Sequence, residues 1–302
     1  MTLPSSGAIS LNDVNVELGN SATAQISMND AAVRGLFEVA SGAIQMSDGY
    51  GKSNVFAFTI SSTQVDANLR TLAVAAGWNE TTPVEATIGS GVNINGSVAA
   101  NSTPALTIDG SWPAGVTLIN NGSITGRGGT GGVSATNGGA GGRALSVSVA
   151  VTIDNQGTIA GGGGGGAGGW PASYSSSCEM GESDSSCNAP GGGGGGGQSN
   201  TSYNGLGGAG GTTSTSNCWY SSNSSAGTNG TSSAAGTGGA GGTCTSCICT
   251  GNHTAQAGGA GGVLGSAGSN TTGRVGGAAG QAVNGNSYIT WTNTGTRLGT
   301  IV

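Results

Sequence analysis

Glycine runs divide the second half of this 302-residue chain, and no other feature constrains its fold as strongly. The runs lie between Gly126 and Gly280, and the longest cover residues 161–169 and 191–197. Sixty-five residues are glycine, roughly three times the usual share of about 7%. The segments between the runs differ from one another and hold most of the Cys and aromatic residues of that half. A uniform scaffold with variable inserts is typical of a protein that displays loops for recognition.

Low charge indicates that these runs are ordered rather than flexible linkers. Only 7% of the residues are charged and the net charge is −6, whereas disordered chains usually carry a high net charge. Glycine has no Cβ, so extended polyglycine-II helices can pack side by side and form lateral hydrogen bonds. The repeated sequence GGAGG suits such packing if its single alanine faces outward. We therefore expect a bundle of polyglycine-II helices.

Composition also excludes several classes of partner. A pI near 4.5 and a single lysine, Lys52, argue against nucleic acid, which needs a basic surface. No stretch of 18 apolar residues exists, so we expect no membrane insertion. The N-terminus has no basic and then apolar segment, which predicts synthesis in a cytoplasm without a signal peptide. No motif requires a cofactor.

Residues 1–54 contain a threefold repeat, which we interpret as an attachment module. The sequences at 8–13, 25–30 and 43–48 each place two alternating apolar residues before an aspartate. This pattern predicts a short strand followed by a helix N-cap. Gly19 and Gly35 are the expected ends of the first two helices. The third repeat leads directly into a turn at Gly49.

Residues 55–125 have the composition of a small mixed α/β connecting domain. A helix is expected over 64–76, because apolar residues recur there at helical spacing before Gly77. Strands are expected at 55–60, 84–88, 92–94 and 106–108.

A second repeat brackets the glycine runs. The sequences at 116–126, 151–161 and 289–299 share an asparagine, a glycine two residues later and a final glycine. Two strands joined by a tight turn would explain that spacing, because glycine tolerates positive φ. The predicted fold class is mainly β and irregular. It comprises the N-terminal α/β module, a β-hairpin frame, a polyglycine-II bundle with long loops over 126–286, and a C-terminal hairpin over 287–302.

This alternation of glycine runs and variable inserts resembles the glycine-rich adhesins at the tail-fibre tips of T-even-like bacteriophages. The resemblance implies a stack of polyglycine-II helices whose inserts contact a host surface receptor, either protein or polysaccharide. It also implies a place in the virion tail, attachment to other tail proteins through the N-terminal region, and release by lysis. The six cysteines and the extra N-terminal module depart from that pattern. Glycine-rich antifreeze proteins of arthropods share the bundle, so an ice-binding or fibre-forming protein is an alternative.

The insert at 170–190 is the richest in functional groups. Cys178 and Cys187 can close a loop that carries Glu179, Glu182 and Asp184. We interpret this loop as an acidic receptor-binding finger. A purely structural disulfide loop, a calcium site, or a carboxylate pair for glycoside hydrolysis are the alternatives. The last of these would make the chain a tail depolymerase.

Aromatic side chains in the inserts are further candidate receptor contacts, because aromatic residues often anchor interfaces. The alternative is that each of them lies flat on its own scaffold. The aromatic residues are Trp170, Tyr174, Tyr203, Trp219 and Tyr220, and the only histidine, His253, joins them. No nucleophile motif accompanies His253, so we expect no catalytic triad and no enzyme activity.

The remaining cysteines lie in two other inserts and are expected to form disulfides. They are Cys218, Cys244, Cys247 and Cys249. Three of these thiolates with His253 could instead bind zinc, although six cysteines pair evenly. The pairing cannot be deduced from the sequence.

The direction of successive runs predicts which inserts share an end. If the recognised runs alternate in direction, the inserts at 170–190, 212–235 and 266–275 emerge together. Those at 198–204 and 243–257 would then emerge at the opposite end. The first group holds the two longest inserts, so that end is expected to meet the host.

Overall fold

The structure is a computed structural model. It describes residues 2–97, 103–176, 185–199, 204–206, 208–211, 214–216, 218–246 and 252–302. The chain forms two compact units. Unit 1 comprises residues 1–58, 73–86 and 112–117, and unit 2 comprises 59–72, 87–111 and 118–302.

Helical segments of unit 1 follow the threefold repeat. Helix α1 spans Leu11–Glu17, α2 spans Ala31–Leu36, and a 3₁₀ turn spans Met46–Gly49. The repeated aspartate acts alike in each copy, accepting the backbone N–H of the residue three positions earlier at 2.8 Å. These pairs are Asp13 with Ser10, Asp30 with Ser27, and Asp48 with Gln45. The repeat is therefore structural, but the expected strands do not form and Gly35 lies within α2.

The core of unit 1 is small and apolar. Leu3, Val14, Val33, Leu36 and Phe37 are buried. The repeat residues that pack against them are Ile9, Ile26, Met28, Ile44 and Met46. A Cβ at Gly49 would lie within 3.0 Å of the Phe37 ring. The third repeat therefore ends in glycine because the Phe37 ring occupies that space.

Strands account for most of the remaining secondary structure. Helix α3, Leu69–Ala75, is shorter than the expected 64–76, because the first part of that segment forms β2 and β3. The strands are β1 Phe56–Ile60, β2 Gln64–Val65, β3 Ala67–Asn68, β4 Val84–Ile88, β5 Asn93–Asn95, β6 Leu106–Ile108, β7 Val116–Asn120, β8 Ser123–Thr125, β9 Leu145–Val147, β10 Val151–Asn155, β11 Thr158–Ala160, β12 Ala172–Ser176, β13 Ser185–Ala189, β14 Ser214–Ser216, β15 Cys218–Ser222, β16 Thr243–Ser246, β17 Asn252–Thr254, β18 Gln281–Asn284, β19 Ile289–Asn293, β20 Thr296–Leu298 and β21 Thr300–Ile301.

The chain forms three five-stranded sheets. Three strands of these sheets that follow one another along the chain each belong to a different sheet, and this order repeats. The strand orders within the sheets are β1-β4-β7-β10-β19, β2-β5-β8-β11-β20 and β21-β18-β9-β6-β3. The strand pairs of the second and third sheets are parallel, and so is the pair β10–β19. We call three successive strands, one per sheet, a coil. Alternate side chains are buried, as in β7 and β10.

The second sequence repeat marks equivalent corners of successive coils. Asn120 and Asn155 are both 0% exposed. The side-chain amide of Asn120 donates to Oδ1 of Asn155 at 2.7 Å, and that of Asn155 donates to the carbonyl of Thr294 at 2.7 Å. Repeated asparagines thus satisfy one another's buried polar groups from coil to coil.

The predicted fold class is wrong. The described residues form mostly parallel sheets with few helices, an arrangement of α/β type, and not a polyglycine-II bundle on a hairpin frame. The expected hairpins fail because the two strands of each repeat belong to different sheets. Each strand pairs instead with its counterpart in the next coil, where the same sequence pattern offers the same register and the same buried face.

The glycine runs interrupt two of the coils. One stretch, 126–144, lies between β8 and β9, and the other, 161–280, lies between β11 and β18. We call these two stretches the glycine region. Its runs have neither helix nor strand assignment, yet their backbone groups bond to one another at every third residue. For example, amides in 161–169 donate across to 191–198 at 2.7–2.9 Å: Gly163 to Gln198, Gly166 to Gly195 and Gly169 to Gly192.

The two longest runs occupy the middle of the glycine region. All residues in 161–169 and 191–197 are buried. The run at 161–169 exchanges backbone hydrogen bonds with segments around it on all sides, namely 126–135, 136–142, 191–198, 259–262, 266–269 and 277–280. No direction is left for a side chain, which explains the near absence of other residues. Runs at the periphery do carry exposed non-glycine residues, namely Thr130, Ala209, Thr237, Ala240 and Ala260.

Candidate functional site

Three inserts of the glycine region meet at one end, which we call the far end. The amide of Gly242 donates to the carbonyl of Pro190 at 2.8 Å, and that of Ala255 donates to Gly242 at 2.9 Å. The amide of Gln256 donates to the carbonyl of Trp170 at 3.1 Å. A Cβ at Gly211 would lie 2.6 Å from the Cβ of Pro190. The inserts that follow residues 169, 211 and 242 therefore start side by side. The opposite, near end adjoins the sheets, where the amide of Gly161 donates to Leu298 at 2.9 Å.

The predicted distribution of inserts between the two ends is wrong for 243–257. This insert emerges beside 170–190, not opposite it. The cause is an unrecognised return segment at 224–230, which runs antiparallel to 205–211. The amides of Ser224, Gly227 and Gly230 donate to the carbonyls of Gly211, Gly208 and Gly205. Its sequence, SSAGTNG, carries only two glycines. Their spacing of three residues matches that of the hydrogen-bonded residues in the glycine runs, and it could have identified this segment as a run.

The far-end inserts form two three-stranded antiparallel sheets. Strand order is β12-β13-β14 in one and β15-β16-β17 in the other. In the second sheet β15 pairs directly with β16, so Ser221 lies opposite Cys244. Cys218 and Cys244 are therefore on neighbouring strands.

The structure brings several predicted contact residues to the far end. Trp170 is 44% exposed, and His253 in β17 is half-buried opposite Cys244. The backbones of Tyr174, Trp219 and Tyr220 lie in β12 and β15. Other predicted residues lie outside the described part of the chain, namely Cys178, Glu179, Glu182, Asp184, Tyr203, Cys247 and Cys249.

Cysteine chemistry is described at one position. Cys244 is fully buried and disulfide-bonded, and it packs with Ala189 and Ala255 in a small apolar cluster. The backbones of Cys187 and Cys218 lie in β13 and β15. The predicted pairing stays a prediction. Among the residues that the structure describes, no three His, Cys, Asp or Glu side chains are grouped to hold a metal.

A cluster of contacts at the base of the inserts was missed by the sequence analysis. The guanidinium carbon of Arg274 lies 4.7 Å from the centre of the Trp170 ring. Gln256 hydrogen-bonds with Trp170 and with Thr272. The sequence does contain a signal for Arg274, because no other Lys or Arg occurs between Arg143 and Arg297. A single cationic residue in so long a segment could have been predicted to have a specific contact.

A second candidate surface lies on unit 1. It is an open groove of about 780 Å³ lined by residues that include Leu18, Leu36, Val55 and Phe56. Elsewhere in unit 1, hydrogen bonds from the backbone and side chain of Ser10 lower the pKa of the Asp13 carboxyl. None of the helices in the described residues has the length and apolar composition to cross a bilayer.

The family model "Phage tail fibre adhesin Gp38" matches residues 55–302. A solved structure, the gp37-gp38 adhesin tip complex of the bacteriophage S16 long tail fibre, is 25% identical with a TM-score of 0.54. That similarity covers 98% of this chain and 99% of the solved one. No curated protein matches the sequence.

Proposed function

This chain belongs to the Gp38 family of phage tail fibre adhesins, and we propose that it recognises a host cell-surface receptor through its far-end inserts. The observation that carries this proposal is the grouping of three variable inserts at one end of the glycine region. Runs joined by backbone hydrogen bonds fix the starts of the inserts, while the inserts are free to differ in sequence. Candidate contacts are the aromatic, acidic and histidine residues named above.

The same proposal places attachment at the other end of the sequence. A phage tail fibre adhesin is part of the virion tail, and the solved relative is a complex of two fibre proteins, gp37 and gp38. We propose that residues 1–54, which precede the matched family region, bind another tail protein. The groove lined by Leu36 and Phe56 is the candidate surface for that partner. Neither receptor recognition nor attachment to a tail protein makes or breaks a covalent bond, so we propose no enzyme activity.

Competition with phage adsorption tests receptor recognition. Purified full-length protein is expected to reduce adsorption of the phage to host cells in proportion to its concentration. Replacing the inserts at 171–189 and 212–223 with those of a related adhesin should transfer adsorption to that relative's host. Shortened polysaccharide after incubation with host envelopes would instead favour a depolymerase.

The near-end turn at 231–234 supplies the matched control, because it is exposed and joins two runs as the far-end inserts do. Alanine substitutions of Thr231 and Ser233 are expected to leave adsorption unchanged. The proposal would be overturned if the insert exchange kept the original host while the turn substitutions abolished adsorption.

A further inference from the structure

We propose that Trp170, Gln256, Thr272 and Arg274 form a clamp that positions the far-end inserts for receptor binding. This inference rests on the proposed function and changes it at one residue, because it assigns Trp170 a positioning role in place of receptor contact. The four residues come from three separate segments: the start of the insert at 170–190, the end of the insert at 243–257, and the turn at 271–275. Their contacts hold these segments in one arrangement.

Gln256 is the centre of the clamp. Its backbone amide donates to the carbonyl of Trp170 at 3.1 Å, and its side-chain oxygen accepts the amides of Trp170 at 3.4 Å and Thr272 at 3.1 Å. Its side-chain nitrogen donates to the Thr272 hydroxyl at 3.1 Å. The backbone carbonyl of Gln256 accepts the amide of Gly192 at 3.0 Å, which ties the clamp to a central glycine run. One side chain thus joins an insert, a turn and the scaffold.

Arg274 closes the other side. Its guanidinium lies over the Trp170 ring, and its Nε donates to the carbonyl of Ala135 in a neighbouring turn. The Thr271 hydroxyl donates to the carbonyl of Gly168 at 2.7 Å, so the turn that carries Arg274 is bound to the scaffold as well. A cation over an indole ring is attractive even when partly exposed. Trp170 is therefore held from one face by a residue more than 100 positions away in the sequence.

Positioning matters because the inserts begin where the glycine packing ends. Beyond that point the bonds between runs end, and any shift of the inserts relative to the runs would have to be lost on binding at the expense of affinity. A clamp that links two inserts and one turn before the receptor arrives reduces that loss. Trp170 then acts through Arg274 and Gln256, rather than by contact with the receptor.

A double-mutant cycle distinguishes positioning from direct contact. In the full-length protein, Trp170→Ala and Arg274→Ala are each expected to weaken binding to host cells roughly tenfold, and the double variant also roughly tenfold. If Trp170 contacted the receptor directly, Trp170→Ala would weaken binding while Arg274→Ala alone would have little effect. That outcome, or additive losses in the double variant, overturns the clamp.

Three further measurements complete the test. Trp170→Phe keeps an aromatic face for Arg274 and should restore most of the binding lost in Trp170→Ala. Hydrogen exchange should rise in the inserts but stay slow in 161–169, whereas general unfolding would raise both and overturn a specific positioning role. Val263→Ala, at an exposed near-end position, is the control. It should change neither the binding to host cells nor the hydrogen exchange of the inserts. Failure of the wild-type protein to bind host cells would refute the proposed function itself, and hydrogen exchange would still report on the clamp.

Discussion

The interior formed by the three five-stranded sheets is filled by side chains, whereas the interior of the glycine region is filled by backbone atoms. In the sheets, buried residues such as Ile88, Leu118 and Ile153 come from alternate positions along the strands. In the glycine region, amides and carbonyls of neighbouring runs occupy the corresponding space. A side-chain core adapts to an altered residue by repacking, but a backbone core has no rotamers with which to adapt. We therefore expect the two regions to respond differently to a single added or removed carbon atom.

The largest effect is expected from a methyl group added to a central glycine run. In Gly194→Ala the new Cβ would lie within 3.0 Å of the carbonyl oxygen of Gly166, closer than real Cβ atoms approach. The runs would have to separate and lose several hydrogen bonds. We expect a loss of more than about 3 kcal/mol in the free energy of unfolding, with little soluble protein. Soluble yield and chemical denaturation measure it.

Ala260→Ser is the matched control, because it also adds one heavy atom but at an exposed position of a peripheral run. Its unfolding free energy should stay within about 0.5 kcal/mol of the wild type. Equal tolerance of both substitutions would contradict a glycine interior packed by its backbone.

An intermediate effect is expected from atoms removed from the side-chain core. Ile153 is fully buried in β10, where it pairs in register with Trp291 of β19. Ile153→Ala should lower the free energy of unfolding by about 2–5 kcal/mol, and Ile153→Val by about 0.5–1.5 kcal/mol. Chemical denaturation of both variants checks this gradation. If Ile153→Val lowered the free energy of unfolding as much as Gly194→Ala is expected to, the two interiors would not differ in their tolerance of substitutions.

The smallest effect is expected from acid. The folded-state pKa of Asp13 lies below its ordinary value of 3.8, chiefly because the carboxylate accepts the backbone N–H of Ser10. A lowered pKa gives stability that is present above 3.8 and is lost as pH falls through the folded value. Asp13→Asn should therefore be slightly less stable than wild type at pH 7, with the difference shrinking below pH 3.8.

Thermal denaturation across this pH range provides the measurement, and a difference that persists unchanged in acid would contradict it. The described residues of the glycine region include no Asp or Glu side chain, so its backbone packing should be insensitive to the same change. Helix α1 of unit 1 and the glycine region are therefore expected to differ in their response to acid.

Local sequence patterns predicted several elements but not the way in which they combine. The strands at 84–88 and 106–108 were predicted from alternating apolar residues, and they form as β4 and β6. The repeats at 116–126 and 151–161 were recognised, but pairing within one repeat was assumed. Pairing between repeats depends on contacts across 30 or more residues, such as Asn120 with Asn155, and a local turn pattern carries no information about them.

The far end was predicted in part. Trp170 and the insert that follows it were assigned to the recognition end from composition, and the structure places them beside the insert at 243–257. That neighbour was assigned to the wrong end because 224–230 does not look like a glycine run. Peripheral segments need glycine only where they face the interior, so serine, threonine and asparagine conceal them. Gln256 and Arg274 were missed because their partners are brought together only by the folded runs.

The return segment at 224–230 has a consequence for how such a chain can change over generations. Each of the two stretches of the glycine region leaves the sheets after one strand and returns to them to form the next strand. The number of runs between the near end and the far end must therefore be even in each stretch. Gain or loss of a single run would move every later insert to the opposite end. The chain would then finish at the far end, away from the sheets in which it must form its next strand. New loops can therefore be acquired only together with a return path, which makes the pair of antiparallel runs the heritable unit of diversity.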